Sequence, residues 1–301
     1  MTTPVRITAV SYLNTLPFIY GIEQQVAVSV SASHNGVRAE TGLLRAGEII
    51  DLALRIPALC AADAIQGVAD IALVPVAAIP QIPGFSIDTV LTLPEPHASE
   101  GPFAPRIITD FCIGAEGPVE TVVLLSDTPL HDIQRIYLDS HSRTSVQLVR
   151  VLAQEHWHIN PQWVEASECA SIAADGKMQL QPGEAMVAIG DKVFSLKAAH
   201  DYAYCYDLAA EWQTMTGGLP FAFAAWVACT AAGWEYAPTL NEALAYGVNH
   251  IADSITRTVH RSRDFEFTNA YRYLTQSIKF RLDAPKRQAM RLFWEKIISP
   301  G

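Results

Sequence analysis

The stretch LDSHSRTSVQLV, residues 138–149, decides the fold class of this 301-residue chain. Its first residues complete a predicted buried strand, RIYLD, and the apolar residues Val146, Val149 and Leu152 then recur at helical spacing. A strand that leads directly into a helix is the repeating unit of α/β folds. Further strands are predicted at residues 6–10, 71–74, 119–125, 185–189 and 221–229. We therefore expect an α/β fold with mixed, mostly parallel sheets.

The length of the chain indicates two domains, since one domain typically takes about 150 residues. No glycine-rich linker divides the sequence, so we expect the chain to cross between domains on the extended segments 119–125 and 219–227. Lobe 1 would comprise residues 1–125 and 219–301, and lobe 2 would be the insertion 126–218. Two lobes joined in this way enclose a cleft, where ligands favour the carboxyl ends of parallel strands.

The composition restricts the kinds of ligand. The chain has 21 Lys and Arg against 31 Asp and Glu, a formal net charge of −10, so it repels nucleic acid and anionic membranes. The basic residues of segment 251–301 alternate with apolar residues at helical spacing, which is typical of solvated helix faces. An anionic ligand must therefore be bound by a few groups aimed at it. We expect a small-molecule partner, and neither nucleic acid nor a membrane.

The cysteines and the N-terminus indicate the compartment. Five scattered cysteines without a C-x-x-C pair favour reduced thiols. The start, MTTPVRITAVSYLNTLPF, lacks the basic and long apolar stretches of a secretory signal. The uncharged segment 212–234 is broken by glycines and a proline, and its apolar run of eleven residues is too short for a span of ~30 Å. We expect a cytoplasmic protein.

The strand-to-helix junction at 138–149 is also the strongest candidate site. Free N–H groups of the first helical turn, the hydroxyls of Ser142, Thr144 and Ser145, and the guanidinium of Arg143 could together bind an anion such as a carboxylate. The alternative is an ordinary capped helix with Arg143 as a surface charge.

A second junction, SYLNTLP at residues 11–17, offers neutral donors and acceptors from Ser11, Tyr12 and Asn14 beside another helix start. Taken alone it could equally be a capped turn. With one such junction in each lobe, however, the pattern favours a ligand that carries two anionic groups.

Weaker signals complete the set. The segment 112–121, CIGAEGPVET, has Gly114 for a close backbone approach and Thr121 at the start of a crossing strand, and Asp191 follows another strand; surface turns explain both equally well. A capping box at 239–242 predicts a helix start there. The pair His156 and His158 lacks metal spacing, and nucleotide, cofactor and hydrolase motifs are missing from the sequence. We expect neither a metal nor a cofactor.

Six stretches together closely resemble the chorismate dehydratase family, which acts first in the futalosine route to menaquinone. They are SYLNTLPF at 11–18, ADIALVPVAAIP at 69–80, CIGAEGPVETVVLLS at 112–126, LDSHSRTSVQLVRVL at 138–152, AMVAIGDKVF at 185–194 and YDLAAEWQTMTGGLPFAFAAW at 206–226. The similarity runs over about residues 5–280, and SYLN and SRTS are its most specific parts. The chain departs from the family around residues 33–56 and by an extra glycine in TGGLPF, neither of which touches a motif. The resemblance implies the two-lobed fold of type II periplasmic binding proteins, working in the cytoplasm.

The resemblance further implies a cofactor-independent lyase that eliminates water from chorismate, a dicarboxylate, to give 3-[(1-carboxyvinyl)oxy]benzoate. Our hypothesis is that the substrate's own enolpyruvyl carboxylate removes the ring proton, while Asn14 orients the substrate and assists departure of the hydroxyl. Arg143 would hold a carboxylate and stabilise developing charge. Glu116, Glu120 and His141 are the alternative bases. Two other functions stay open: the 1,4-dihydroxy-6-naphthoate synthase of the same pathway, which has a different N-terminal motif, and a non-catalytic anion-binding protein of this fold.

Overall fold

Twelve strands form two separate sheets in the computed structural model of the chain, which describes residues 4–25, 27–29, 49–92, 103–139, 142–165, 180–259 and 266–298. The seven-stranded sheet contains β1 (Val5–Val10), β2 (Ala27–Ser29), β3 (Ile49–Arg55), β4 (Ile71–Pro75), β5 (Arg106–Ala115), β11 (Phe221–Ala228) and β12 (Lys279–Arg281). The five-stranded sheet contains β6 (Val122–Ser126), β7 (Arg135–Leu138), β8 (Gln162–Glu165), β9 (Glu184–Ile189) and β10 (Tyr204–Asp207).

Helices pack around both sheets. The α-helices of the described residues are α1 (Leu16–Gln25), α2 (Pro57–Ile65), α3 (Ile87–Leu91), α4 (Thr144–Leu152), α5 (Lys192–Ala199), α6 (Leu208–Met215), α7 (Ala231–Glu235), α8 (Ala237–Asn249), α9 (Ile251–Val259), α10 (Phe267–Arg272) and α11 (Ala284–Ile298). Short 3₁₀ turns lie at Leu13–Thr15, Val76–Gln81 and Leu130–Asp132, and π-helical turns at Ala153–Trp157 and Tyr273–Ser277. No helix in this part of the chain is both long and apolar enough to cross a membrane.

The first sheet brings several strand ends to one edge. Its order is β12-β5-β11-β4-β1-β3-β2, and β1 runs parallel to both of its neighbours, β3 and β4. Each of these three strands continues at its carboxyl end into a helical segment. Strand β4, with the apolar sequence IALVP, is buried along its whole length, as expected for a central strand that is covered on both faces.

The second sheet has the order β10-β6-β9-β7-β8. Like the first sheet, it has parallel neighbouring strands that lead toward helices. Strands β7 and β9 are parallel neighbours, and each leads toward a helix: β7 through the SRTS stretch into α4, and β9 into α5. The two-lobed α/β fold expected from the sequence is therefore confirmed. The strand-to-helix junctions of both sheets are the points from which the site is built.

The expected predominance of parallel pairing is wrong. Five strand pairs of the described sheets are parallel and five are antiparallel. One antiparallel strand is β11, which enters the first sheet after the chain has returned from the second through α6. It runs antiparallel between β4 and β5, and the sequence could not predict this because a buried apolar strand has the same pattern in either direction.

Neither of the segments proposed to cross between lobes is shared by the two sheets. The predicted strand 119–125 is shorter, and as β6 it belongs wholly to the second sheet, whereas β11 belongs wholly to the first. The chain passes from β5 to β6 through the turn 116–121 and returns after β10 through α6. Because β6 pairs only within the second sheet, we propose that the second lobe begins close to residue 120. The division of the whole chain into two lobes is likewise a proposal.

The C-terminal helix, α11, packs against β11 of the first sheet and against helix α6. The rings of Trp212, Phe221 and Phe293 meet edge to face, with centroids 5.1–5.9 Å apart, and the indole N–H of Trp294 donates to the Val76 carbonyl oxygen at 2.8 Å. Each buried ring contributes about 1.5–3 kcal/mol. This aromatic cluster therefore stabilises α11 against α6 and β11, behind the junctions that carry the polar residues.

The cysteines of the described residues, Cys60, Cys112, Cys205 and Cys229, are free thiols. Cys169 lies outside the described residues, as do His141 and most of the stretch 33–56. Burial raises the pKa of the Cys112 thiol to about 12, so this thiol stays protonated at neutral pH.

Candidate functional site

A small cavity of about 70 Å³ lies between the two sheets, where β1 and β4 of the first sheet and β9 of the second end. The described lining residues come from segments of both sheets: Val10, Tyr12, Asn14, Thr15, Pro57, Leu73, Pro75, Ile113, Val119, Thr121, Val122, Ser142, Thr144, Ser145, Ile189, Gly190, Phe223 and Ala224.

Most of the described lining residues are apolar, and the polar side chains among them carry neutral hydroxyls and one amide. Among the described lining residues there is no Asp, Glu, Lys, Arg or His. An anion in this cavity would therefore be met by hydroxyls, by the Asn14 amide and by the free N–H groups at the start of α4.

On the side of the first sheet, the SYLN stretch forms a tight turn after β1. The hydroxyl of Thr15 is buried and lies 2.6 Å from the Val10 carbonyl oxygen and 2.7 Å from that of Tyr12. These contacts fix the backbone between them, so the Tyr12 and Asn14 side chains reach the cavity. Ser11 is exposed and does not line it.

Tyr273, a residue that the sequence did not single out, lies near Asn14 and Thr121. The Tyr273 hydroxyl is buried and lies 2.7 Å from the Thr121 hydroxyl oxygen. Burial raises the pKa of Tyr273, although the neighbouring Thr121 and Asn14 side chains act against this rise. Nothing local in YRYLTQS marks Tyr273, because its partners lie far away in the sequence.

On the side of the second sheet, the SRTS stretch opens α4. The Ser142 hydroxyl accepts a hydrogen bond from the Ser145 N–H at 3.0 Å, which caps the helix. The Thr144 hydroxyl donates to the Phe223 carbonyl oxygen at 3.0 Å and accepts from the Ala77 N–H at 3.3 Å. Thr144 therefore links this helix start to the first sheet, and all three hydroxyl residues line the cavity.

Arg143 is exposed, lies immediately before α4 and is not among the described lining residues. Within the described part of the chain, no acidic side chain forms an ion pair with it. This placement matches the interpretation of Arg143 as a surface charge. That Arg143 holds a carboxylate stays a prediction. Its position is compatible with this role, because its neighbours Ser142 and Thr144 both line the cavity.

A direct contact closes one side of the cavity. The Tyr12 ring packs against Gly190, whose φ of +66° suits a residue without a side chain; a Cβ there would lie 3.1 Å from the ring. Next to it, the Asp191 carboxylate accepts from the Leu13 N–H, with its two oxygens 3.0 and 3.2 Å away. Burial raises the pKa of Asp191 to about 6 and also raises that of Tyr12.

Two further predicted residues have different surroundings. Asp191 lines a second, wider depression on the outer side of the Tyr12 contact, not the cavity itself. Gly114 lies inside β5 rather than in a turn, and a Cβ there would be 3.0 Å from the Phe221 carbonyl oxygen. Gly114 therefore allows close strand packing and does not line the cavity.

Two of the alternative bases, Glu116 and Glu120, are placed away from the cavity. Glu116 pairs with the buried ammonium of Lys286 at 2.6 Å. Glu120 forms a two-pronged ion pair with Arg272, at 2.7 and 2.8 Å, which holds the pKa of this carboxyl below its usual value. Neither side chain lines the cavity, and His141 lies outside the described residues. Among the residues that are described, no three His, Cys, Asp or Glu side chains are grouped as metal ligands.

A protein-family model described as menaquinone biosynthesis matches residues 105–298, nearly two thirds of the chain. The match includes the SRTS stretch, Thr121 and Tyr273, whereas the SYLN stretch lies before it.

Solved structures share the fold at low identity. Protein AF1704 from Archaeoglobus fulgidus is 13% identical, with a TM-score of 0.64 over 97% of this chain and 96% of that one. The alkanesulfonate-binding protein SsuA from Xanthomonas axonopodis pv. citri, bound to MOPS, is 15% identical, with a TM-score of 0.55 over 100% and 95%. The Candida albicans CA3427 gene product, described as having the generic periplasmic binding protein fold, is 11% identical, with a TM-score of 0.55 over 100% and 92%.

Proposed function

The chain belongs to the menaquinone biosynthesis family, and from this premise we propose that it is a chorismate dehydratase. A role in menaquinone biosynthesis rests on the family itself. The finer proposal is that the protein eliminates water from chorismate to give 3-[(1-carboxyvinyl)oxy]benzoate. This finer proposal rests on the cavity and on the resemblance of six sequence stretches to chorismate dehydratases.

One observation carries the proposal. SYLN and SRTS, the two most specific stretches of the resemblance, lie far apart in the sequence but line one cavity from opposite sides. Chorismate has one carboxylate on its ring and one on its enolpyruvyl ether. A cavity with apolar walls and a polar helix start fits an apolar ring whose charged groups lie at its periphery.

The neutral side chains of the described lining residues support removal of the ring proton by the substrate itself. The elimination breaks the bond between ring carbon 3 and its proton, and the freed electron pair forms the double bond to carbon 4, from which the hydroxyl leaves. With Glu116 and Glu120 in ion pairs elsewhere, the enolpyruvyl carboxylate of the substrate is the base we propose. The carboxyl group that has taken up the ring proton passes it to the departing hydroxide, which gives water and regenerates the carboxylate, so atoms and charges balance.

The protein would then act mainly by orientation. Asn14 and the hydroxyls of Tyr12 and Ser145 line the cavity and hold the substrate, and enclosure between the two sheets limits competing reactions. We propose that the exposed Arg143 side chain turns toward a substrate carboxylate at the mouth of the cavity. A charge-assisted bond there would strengthen binding more than a neutral one.

Incubation of the purified protein with chorismate tests the proposed activity. We expect a single product that is lighter by one water and matches 3-[(1-carboxyvinyl)oxy]benzoate by liquid chromatography and mass spectrometry. Chorismate that binds but is recovered unchanged would point to an anion-binding protein. Turnover of the naphthoate synthase substrate in place of chorismate would assign the sister activity.

Substitutions test the assigned roles. Asn14→Ala should lower kcat by about 100-fold or more, as when one preorganised polar group is removed from an active site. Arg143→Ala should raise KM by about 10-fold because a charged hydrogen bond is lost. The control is Arg150→Ala, which removes an exposed arginine of the same helix that stacks on Trp163 and should leave kinetics unchanged.

Near-normal turnover in both Asn14→Ala and Arg143→Ala would refute the roles assigned to these two residues. A Glu116→Gln or His141→Ala enzyme that binds chorismate but is inactive would identify a protein base.

A further inference from the structure

The chain passes from the first sheet to the second through a turn with an unusual backbone. Glu120 has a φ of +67°, in the left-handed region that is unfavourable for residues with a Cβ. Among the described non-glycine residues only His158 also has a positive φ, and it follows a helical turn, where this conformation is common. Glu120 instead lies between β5 and β6, and its neighbours Val119 and Thr121 both line the cavity. A strained residue between two cavity residues points to a functional reason for the turn.

The backbone of this turn is held by a carboxylate from the returning part of the chain. One oxygen of Asp207 accepts from the Glu120 N–H at 2.7 Å. The other oxygen accepts from the N–H groups of Ala209 and Ala210, at 3.1 and 3.3 Å, and so caps α6. Asp207 is the last residue of β10. A single side chain therefore joins the outgoing connection between the sheets to the returning one.

The side chain of Glu120 is held from another direction, by the C-terminal part of the chain. Its carboxylate forms two hydrogen bonds with the Arg272 guanidinium, at 2.7 and 2.8 Å, and also accepts from the Ser277 hydroxyl. A bidentate pair of arginine and carboxylate fixes geometry as well as adding energy. Arg272 ends α10, and Ser277 ends the π-helical turn that follows it. Glu120 is thus fixed both at its N–H and at its carboxylate.

Thr121 connects the position of this turn to the cavity. The Thr121 carbonyl oxygen accepts from the Gly190 N–H at 2.8 Å, and Gly190 packs against the Tyr12 ring. The Thr121 hydroxyl oxygen lies 2.7 Å from that of Tyr273, the residue that follows Arg272. A turn that left the left-handed conformation would therefore move Thr121, and with it the contact between Gly190 and Tyr12.

We propose that Glu120 is a positioning residue: paired with Arg272, it holds the turn in its left-handed conformation and so places Val119 and Thr121 in the wall of the cavity. This inference rests on the proposed function, and it gives Glu120 a role other than that of a base. The wall contacts bound chorismate in the ground state and in the transition state alike, so loss of its placement weakens binding more than turnover. Loss of a base would instead lower kcat.

Steady-state kinetics with chorismate tests this role. Glu120→Ala removes the ion pair and leaves the left-handed turn unsupported. We expect KM to rise about 5- to 10-fold, the effect of one lost hydrogen bond, with kcat within about 3-fold of the wild-type value. Glu120→Gly also removes the ion pair, but glycine adopts a positive φ without strain, so KM should return most of the way to the wild-type value. Arg272→Ala should match Glu120→Ala, and the double variant should be no worse than either single one.

The matched control is Arg135→Ala. The side chain of Arg135 has the same exposed fraction as that of Arg272, 44%, and pairs with Glu184 at 2.8 Å in the second sheet. Loss of this ion pair should leave KM and kcat unchanged. A fall in kcat of about 100-fold in Glu120→Ala at unchanged KM would overturn the proposal in favour of a base. Equal KM values in Glu120→Ala and Glu120→Gly would also overturn it, because the conformation of the turn would then not be what Glu120 supplies.

One readout does not depend on chorismate. The N–H of residue 120 is bound to Asp207 and should exchange slowly with deuterium. We expect it to lose this protection in Glu120→Ala and Arg272→Ala and to keep it in Glu120→Gly and Arg135→Ala, as measured by NMR. This pattern in a protein that does not convert chorismate would support the held turn and refute the dehydratase. Unchanged exchange in all variants of an active enzyme would refute the role of Glu120 alone.

Discussion

Gly190 connects the two sides of the cavity through a contact that only glycine permits. Its φ is +66°, and a Cβ would lie 3.1 Å from the Tyr12 ring. We expect Gly190→Ala to lower the free energy of unfolding by about 1–2 kcal/mol and to reduce kcat, since Tyr12 must shift within the cavity. Denaturant unfolding and steady-state kinetics measure the two effects.

The matched control is Gly217→Ala. Gly217 has a similar φ of +71°, but no atom lies within 4 Å of the position that a Cβ would take, so only the backbone strain remains. It should lower stability without changing kcat. If the two variants lost equal stability and Gly190→Ala kept a normal kcat, the contact between Gly190 and Tyr12 would contribute neither to stability nor to turnover.

Individual residues of the site were predictable where the signal was local. Ser142, Thr144 and Asn14 follow strands and precede helices, and this local pattern is enough to expect polar groups at a strand end. Gly114 shows the limit, because a glycine in a strand and a glycine in a turn look alike in the sequence. Tyr273 shows a second limit, since only the tertiary fold brings it to Asn14 and Thr121.

Helices α1 and α8 pack with their backbones in contact, and this packing supports the SYLN turn that precedes α1. A Cβ on Gly247 would lie 1.8 Å from the Pro17 carbonyl oxygen. Gly247→Ala should therefore push the helices apart and lower the free energy of unfolding by about 1–3 kcal/mol. The exposed Asn249→Ala on the same helix should change it by less than about 0.5 kcal/mol. Thermal unfolding measures the stability of both variants. If Gly247→Ala were as stable as Asn249→Ala, the close packing of α1 on α8 would be contradicted.

Elements with strong periodicity were predicted well. Strands β4, β9 and β11 differ from the predicted 71–74, 185–189 and 221–229 by one residue at one end. The predicted start of a helix at the capping box 239–242 is wrong, because α8 already begins at Ala237 with Pro238 in its first turn. Proline lacks an N–H and suits that turn. Strand direction was not predictable, since a buried strand has the same apolar sequence in either direction.

At the scale of the whole molecule, the cavity depends on bonds between segments that belong to different sheets. The Leu13 N–H, beside β1, donates to Asp191, beside β9, and Thr144 at the start of α4 donates to Phe223 in β11. Composition predicted a small-molecule protein of negative charge, and chain length predicted two lobes. Neither could show which residues join the lobes, because such pairs are defined only once both sheets have formed.

The burial of Asp191, which accepts a hydrogen bond from the Leu13 N–H, gives the stability of the molecule a pH dependence of known sign. Burial raises the pKa of Asp191 from about 3.8 to about 6, so the folded state binds a proton more tightly than the unfolded state. Its contribution to stability is fully present below about pH 4 and is lost as the pH rises through about 6. Asp191→Asn cannot titrate but keeps an oxygen that accepts from the Leu13 N–H.

We therefore expect the difference in Tm, wild type minus Asp191→Asn, to decrease between about pH 4 and pH 7 and then to level off. Thermal unfolding in buffers of equal ionic strength measures it, and Asp201→Asn, which replaces an exposed carboxylate, controls for the loss of one negative charge. A difference that stays constant or grows over this range would contradict a buried, titrating carboxylate. It would mean that Asp191 is solvated, and hence that the two sides of the cavity separate in solution.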